Sequence, residues 1–150
     1  MTPEDIIRTL DLAELPIEGG LYTQSWRDDQ VSAIYYLLVA PDFSALHRLD
    51  RIEIFTYHAG SPARMLLLHP DGSVQRPVLG PDVAAGQRPQ VVVPAGVWQT
   101  AITTGEWSFL GTVVVPPYYD ECVEFGDADE LAASYPSHAA EIRPLCRHAD

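Results

Sequence analysis

A chain of 150 residues, 47% of them hydrophobic and 20% charged, has the composition of a globular protein and the length for one domain with a sizeable core. Its 21 acidic against 9 basic side chains give a formal net charge of -12, a field that repels nucleic acid and anionic membrane surfaces and argues against a polyanion as partner. No apolar run is long enough to span a bilayer, the N-terminus lacks the basic-then-apolar layout of a secretory signal, and Cys122 and Cys146 show no metal-ligand spacing, so a cytoplasmic protein with free thiols is expected.

Thr2-Pro3-Glu4-Asp5 reads as a helix start: Thr2 can cap free amides, Pro3 needs no donor at the first position, and the acids suit the helix dipole. Ile6, Ile7 and Leu10 then form one apolar stripe, which predicts a short helix packed on the outside of the domain. Residues 15–20 turn the chain through two adjacent glycines. Residues 21–26 read as a strand followed by an Asp28-Asp29 turn, and residues 31–39 as a nearly continuous apolar run, the pattern of a central strand covered on both faces.

From there to residue 115, short apolar runs cut by turn residues give the spacing of an all-β domain. Pro41-Asp42, Gly60-Ser61-Pro62 and Pro70-Asp71-Gly72 make the cuts, because proline lacks a ladder donor and Asp-Gly supplies the acceptor and the positive φ of tight turns. Strands are predicted around His47, around Glu53, and over residues 63–68, 74–79, 90–93, 97–103 and 107–115, with a longer loop over 80–89. Pro116-Pro117 ends the sheet; beyond it Asp127 is expected to cap a short helix to Ala133, and Ser137 another to Ile142. No repeat or low-complexity tract breaks residues 1–150, so a single domain is expected.

Two stretches carry the chemistry. His47, Leu49, Glu53 and Gly60 fall at the spacing HxLxxxE, six residues, Gly; Pro94, Gly96 and Gln99 fall at PxGxxQ. Together they resemble the two motifs of the cupin superfamily, HxHxxxE with a downstream Gly and PxGxxH, with Leu49 for the second His and Gln99 for the third. Glu18-Gly19-Gly20, Tyr57-His58-Ala59-Gly60, Pro70-Asp71-Gly72 and Val97-Trp98-Gln99 follow the order seen in the cupin family DUF985 (Cupin_5), a resemblance that covers residues 15–125. It implies an all-β double-stranded β-helix, a jelly-roll barrel with a short N-terminal helix and short C-terminal helices, and a homodimer paired through its sheets. The chain departs from the family pattern at Pro16-Ile17, Thr23-Gln24, Ile52 and Pro116-Pro117-Tyr118, so one relative's ligand does not transfer to it.

Strand parity places Glu53 on one face with Phe55 and Tyr57, His47 with Leu49, and Gln99 with Ala101. If His47, Glu53 and Gln99 all point inward, they form a polar spot in an apolar barrel, the usual build of a small-molecule site. Tyr57, by parity, and Tyr35 are further ligand-binding candidates, and Arg27, at the position of a family arginine, either anchors a carboxylate or phosphate at the mouth or pairs with one of the acids. Arg48 points away from His47, and Trp98, opposite in parity to Gln99, is expected between the sheets or at a dimer contact. His58, His69, His138 and His148 lie apart without ligand spacing and are expected to be structural or at the surface.

Three kinds of function use these groups. As a metal set, His47, Glu53 and Gln99 are deficient, since Leu49 cannot ligate and an amide oxygen is a weaker donor than imidazole; no cofactor is required as first choice, and a divalent ion would be weakly held. As a metal-free pair, a buried Glu53 raised by desolvation and pulled back by a His47 imidazolium suits proton exchange near neutrality, hence isomerase or epimerase chemistry beside a carbonyl. As a binder without chemistry, the aromatic residues supply flat walls for a small ligand. His47 and Glu53 satisfying one another in a polar core is the plainer alternative.

Overall fold

The computed structural model describes residues 1–147, so the expectation for His148 lies outside the described residues. The first helix, α1, spans Pro3–Leu10; the Thr2 hydroxyl accepts from the Asp5 amide and the Asp5 carboxylate accepts from the Thr2 amide, closing both ends of a capping box. Ile6, Ile7 and Leu10 pack on Leu37, Leu21 and Phe109, which fixes the helix on the outer face of a sheet, as its stripe predicts.

Twelve strands follow among the described residues. They are β1 (Ala13–Glu14), β2 (Leu21–Arg27), β3 (Ser32–Val39), β4 (Ser44–Leu49), β5 (Ile52–Gly60), β6 (Ala63–Leu68), β7 (Val74–Gln75), β8 (Val78–Leu79), β9 (Gln90–Val93), β10 (Trp98–Thr103), β11 (Trp107–Val115) and β12 (Val123–Phe125). One sheet runs β1-β2-β3-β11-β5-β9 and the other β12-β4-β10-β6-β7, with β8 also on β6; every strand pairing is antiparallel. β3 is internal to its sheet, which accounts for its unbroken apolar run.

Inward-facing Tyr36, Leu38, Phe55, Met65, Leu67 and Leu110 fill the space between the sheets. Tyr36 and Phe55 also border the cavity in which Glu18 and Glu53 stand, and the site is there. A second apolar cluster, Leu46, Leu66, Leu68 and Trp98 against Leu131, Tyr135 and Ile142, docks the C-terminal helices α2 (Ala128–Ser134) and α3 (Ala139–Ile142) on the outside of the second sheet. No helix among the described residues is long and apolar enough to cross a membrane.

The structure corrects the sequence reading in several places. Residues 74–79 are two short strands, because Pro77 cannot donate to the ladder. Pro116-Pro117 does not end the sheet structure, because Val123–Phe125 pairs with β4 beside His47. Asp127 caps α2 through its side chain, but Ser137 caps nothing: Pro136–His138 is a single 3-10 turn and α3 starts after it. Trp98 lies under the C-terminal helices, with the Arg48 guanidinium 4.5 Å over its ring, and not between the sheets.

Candidate functional site

His47 on β4 and Gln99 on β10 are register partners in the second sheet, and Glu53 reaches them from β5 in the first. All three are buried, with 2%, 1% and 7% of their surfaces exposed. Gln99 Nε2 donates to Glu53 Oε1 at 2.9 Å, a hydrogen bond that spans the barrel from sheet to sheet. Gln99 Oε1 is left without a hydrogen-bond partner among the described residues.

The His47 ring is oriented by its own strand. Its Nδ1 lies 2.7 Å from the Ala45 carbonyl oxygen, and because a carbonyl only accepts, Nδ1 carries a hydrogen. Nε2 therefore faces Glu18 Oε1, 3.5 Å away, and that contact is attractive when one proton is shared between the two.

Glu18 was not among the sequence candidates, yet it completes the group. It projects from a turn in which Ile17 at φ 69°, Gly19 at φ 92° and Gly20 at φ 82° take left-handed backbone. The turn is tied down on three sides. Glu18 O accepts from the Ala45 amide at 2.7 Å and from Arg147 Nη1 at 2.9 Å, and the Gly20 amide donates to Asp42 Oδ2 at 2.8 Å. Ser44 Oγ donates to Glu18 Oε2 at 3.1 Å, which turns the carboxylate inward. The signal in the sequence was Glu-Gly-Gly itself: an acid followed by two residues free to bend the chain back.

Burial pushes the Glu53 carboxyl up to about 7; the His47 charge opposes that rise, Glu18 adds to it, and hydrogen bonds from Gln99 and Thr112 hold it down. Glu53 is thus divided between acid and base near neutral pH.

A cavity of about 460 Å³ opens in front of this group. Glu53, Thr112 and Phe55 form its floor on β5 and β11, Glu18 and Tyr36 one wall, and the Tyr118–Glu121 stretch its rim. Tyr36 hydroxyl donates to the Gly19 carbonyl at 2.5 Å, and burial followed by the nearby Glu18 charge holds the phenol well above its ordinary range. At the mouth, the Arg27 guanidinium lies 4.3 Å over the Tyr119 ring, with Nη1 3.4 Å from Gln24 Oε1; Arg27 makes no ion pair among the described residues.

The structure brings some sequence candidates to this cavity and not others. Glu53 and Arg27 line it. His47 and Gln99 do not; they stand behind it, His47 in contact with Glu18 and Gln99 with Glu53. Tyr35 is on the outer face of the sheet, stacked on Phe109 at 5.8 Å, and by strand parity it is its neighbour Tyr36 that points inward. Tyr57 shares the inner side with Glu53, but its hydroxyl donates to the Gly60 carbonyl at 2.7 Å and its ring packs on the apolar core of the barrel. His58 lies beside Tyr35 on the outer face, 6.3 Å between rings.

The residues present do not fit a tightly held metal. Leu49, at the position of the second motif histidine, packs with Val114 and Cys122. Gln99, at the third, turns its amide nitrogen onto Glu53. Among the described residues no three His, Cys, Asp or Glu side chains are arranged to hold a metal ion.

The comparisons with known proteins bear on the family and the fold. A family model described as the cupin superfamily (DUF985), Cupin_5, matches residues 4–126. A crystal structure of a protein from Shewanella oneidensis is 32% identical and superposes with a TM-score of 0.92 over 99% of each chain. A hypothetical protein from Leishmania major is 25% identical, with a TM-score of 0.90 over 99% of this chain and 100% of its own. Oxalate decarboxylase from Bacillus subtilis, at 14% identity and a TM-score of 0.62 over 90% of this chain and 37% of its own, shares the fold. No curated protein matches the chain.

Proposed function

The chain belongs to the DUF985 family of the cupin superfamily, and on that premise we propose that it binds a small carbonyl-bearing molecule in the barrel cavity and moves a proton at the carbon beside the carbonyl without a metal, as isomerases and epimerases do. The observation that carries this reading is the pair of carboxyl groups on one cavity, Glu53 held by Gln99 and Glu18 backed by His47.

The roles follow from the environments. Glu53, at about 7, exists in both forms at neutral pH, the best compromise for a group that must take a proton and give it back. It removes the proton from carbon. The proton shared by His47 Nε2 and Glu18 goes to the carbonyl oxygen, and both return in the second half of the reaction, so the product is an isomer of the substrate. His47 is a positioning residue here, because it meets the ligand through Glu18. Thr112 steadies Glu53, and the apolar barrel behind excludes water.

A homodimer and a cytoplasmic location complete the proposal. Ile52, Val92 and Val115 are exposed on the outer face of the first sheet, where Ile52 pairs with Val115 and Ile54 with Val92, and a second copy would cover them. Cys122 and Cys146 are free, as suits a reducing compartment.

Native mass spectrometry of protein purified without chelator, with elemental analysis of the same sample, comes first, since it reads dimer mass, metal and any carried-over ligand together. Candidate carbonyl compounds are then incubated in D₂O and followed by NMR for deuterium at the carbon beside the carbonyl. Wash-in that falls at least about 100-fold in Glu53→Gln supports the proposal. A stoichiometric transition metal lost in His47→Ala, or wash-in unchanged in Glu53→Gln, overturns it.

A further inference from the structure

The charges around the cavity are unequal. Glu18 and Glu53 stand inside it and Asp120 and Glu121 at its rim, against the single guanidinium of Arg27. That guanidinium is already engaged, over the Tyr119 ring and toward Gln24. Neither Asp120 nor Glu121 enters an ion pair among the described residues, so their charge at the mouth is not neutralised by a basic side chain. With Glu53 protonated and Glu18 sharing a proton with His47, the carboxylates of Asp120 and Glu121 still oppose one cation.

The apolar part of the wall combines the aliphatic Leu15, Ile34 and Val114 with aromatic rings. Tyr22 and Tyr36 line it from β2 and β3, and Tyr118 and Tyr119 from the rim. Burial, then the Glu18 charge, holds the Tyr118 phenol well above its ordinary range, so it stays neutral and keeps the electron-rich face that attracts a cation. Arg27 on Tyr119 shows that the mouth already accommodates a cation on an aromatic face.

A free anion entering this cavity meets repulsion from both its floor and its rim, and a neutral polyol gains nothing from the excess negative charge. An organic cation uses both wall types. We propose that the ligand of this cavity carries a protonated amine or a comparable organic cation, held by the rim carboxylates of Asp120 and Glu121 and by the tyrosine faces. This rests on the cavity being the ligand site and names the chemical class it takes.

The test uses three probes with one ring and three charges: 2-phenylethylamine, 2-phenylethanol and phenylacetate, titrated into the full-length protein and followed by amide chemical shifts of the cavity residues. The amine is expected to bind at least about tenfold more tightly than the alcohol, and phenylacetate more weakly than either. In the double variant Asp120→Asn and Glu121→Gln, both at exposed residues, amine affinity falls several-fold while that of the alcohol is unchanged. Equal affinities, a preference for the acid, amine affinity unaffected by the double variant, or no shift from any probe at millimolar concentration overturns the inference. The two proposals fail separately: amine preference without deuterium wash-in in any amine-bearing substrate leaves a cation binder without proton transfer, and wash-in confined to neutral or anionic substrates leaves the chemistry with a different ligand.

Discussion

Gln99 Nε2 and Glu53 Oε1, 2.9 Å apart, join the two sheets through the interior of the barrel, and the oxygen of the same amide, Gln99 Oε1, has no hydrogen-bond partner among the described residues. The amide therefore serves Glu53 in either state. An ionised carboxylate accepts from the nitrogen, and a protonated one can donate to the oxygen after the amide rotates. A histidine at residue 99 would offer a lone pair to a metal; a glutamine offers a hydrogen to a carboxylate.

Stability should fall as pH rises through neutrality because of Glu53. Its carboxyl is raised from 4.5 to about 7, so the folded state binds the proton more tightly than the unfolded chain does. The stabilisation is complete below about 4.5 and is lost as pH climbs through about 7, with a slope of up to about 1.4 kcal/mol per pH unit in that window. Urea denaturation at pH 5 and at pH 8 measures it, and Glu53→Gln should remove this residue's share of the slope. A wild-type slope that the variant retains in full would assign the effect to other groups.

Gln99→Leu should push Glu53 still higher, because the hydrogen bond from Gln99 favours the ionised form. The substitution also leaves a buried carboxyl with one donor fewer, at a cost of about 1–3 kcal/mol. Carbon-detected NMR titration of the Glu53 side chain reads the shift; a lower midpoint in the variant would show that Gln99 does not act on Glu53 in this way.

Gly20 and Gly72 make a matched pair of tests. A Cβ on Gly20 would lie 2.6 Å from the Tyr36 ring at φ 82°, whereas one on Gly72, at φ 90°, meets no atom within 4 Å. Gly72→Ala should cost only the backbone strain, about 1 kcal/mol, and Gly20→Ala about 2 kcal/mol or more, with Tyr36 displaced from the cavity wall. Thermal denaturation of both proteins separates the two effects.

Arg147 locks the Glu18 turn from the far end of the chain. Its Nη1 donates to the Glu18 and Phe43 carbonyls at 2.9 and 3.0 Å, its Nη2 to Asp42 Oδ1 at 2.8 Å, and its guanidinium covers the Phe43 ring at 3.9 Å. With about a third of its side chain exposed, Arg147→Ala should cost about 1 kcal/mol globally. Locally the effect should be larger: the Gly20 and Ala45 amides, bonded to Asp42 and to Glu18, should exchange with solvent faster. Arg147→Lys restores the charge without the fork and should recover little of that protection.

The sequence by itself determined the strand pattern and the scaffold. Alternation and turn chemistry are local, so β6, β9 and β11 were legible to the residue, as was the Thr2 cap of α1. Motif spacing singled out His47, Glu53 and Gln99, and the fold buries all three. What faces the cavity was decided by tertiary structure. Tyr36 lines it and Tyr35 does not, because which face of β3 looks inward depends on the sheet it faces and not on its own nearly continuous apolar run. Tyr57 has the right parity but lies too far along β5, against the apolar core, and is spent on Gly60. Glu18 stands against His47 only because a left-handed turn before β2 is clamped by Asp42 and by Arg147, 129 residues away in the chain, and a contact of that span leaves no local pattern to read.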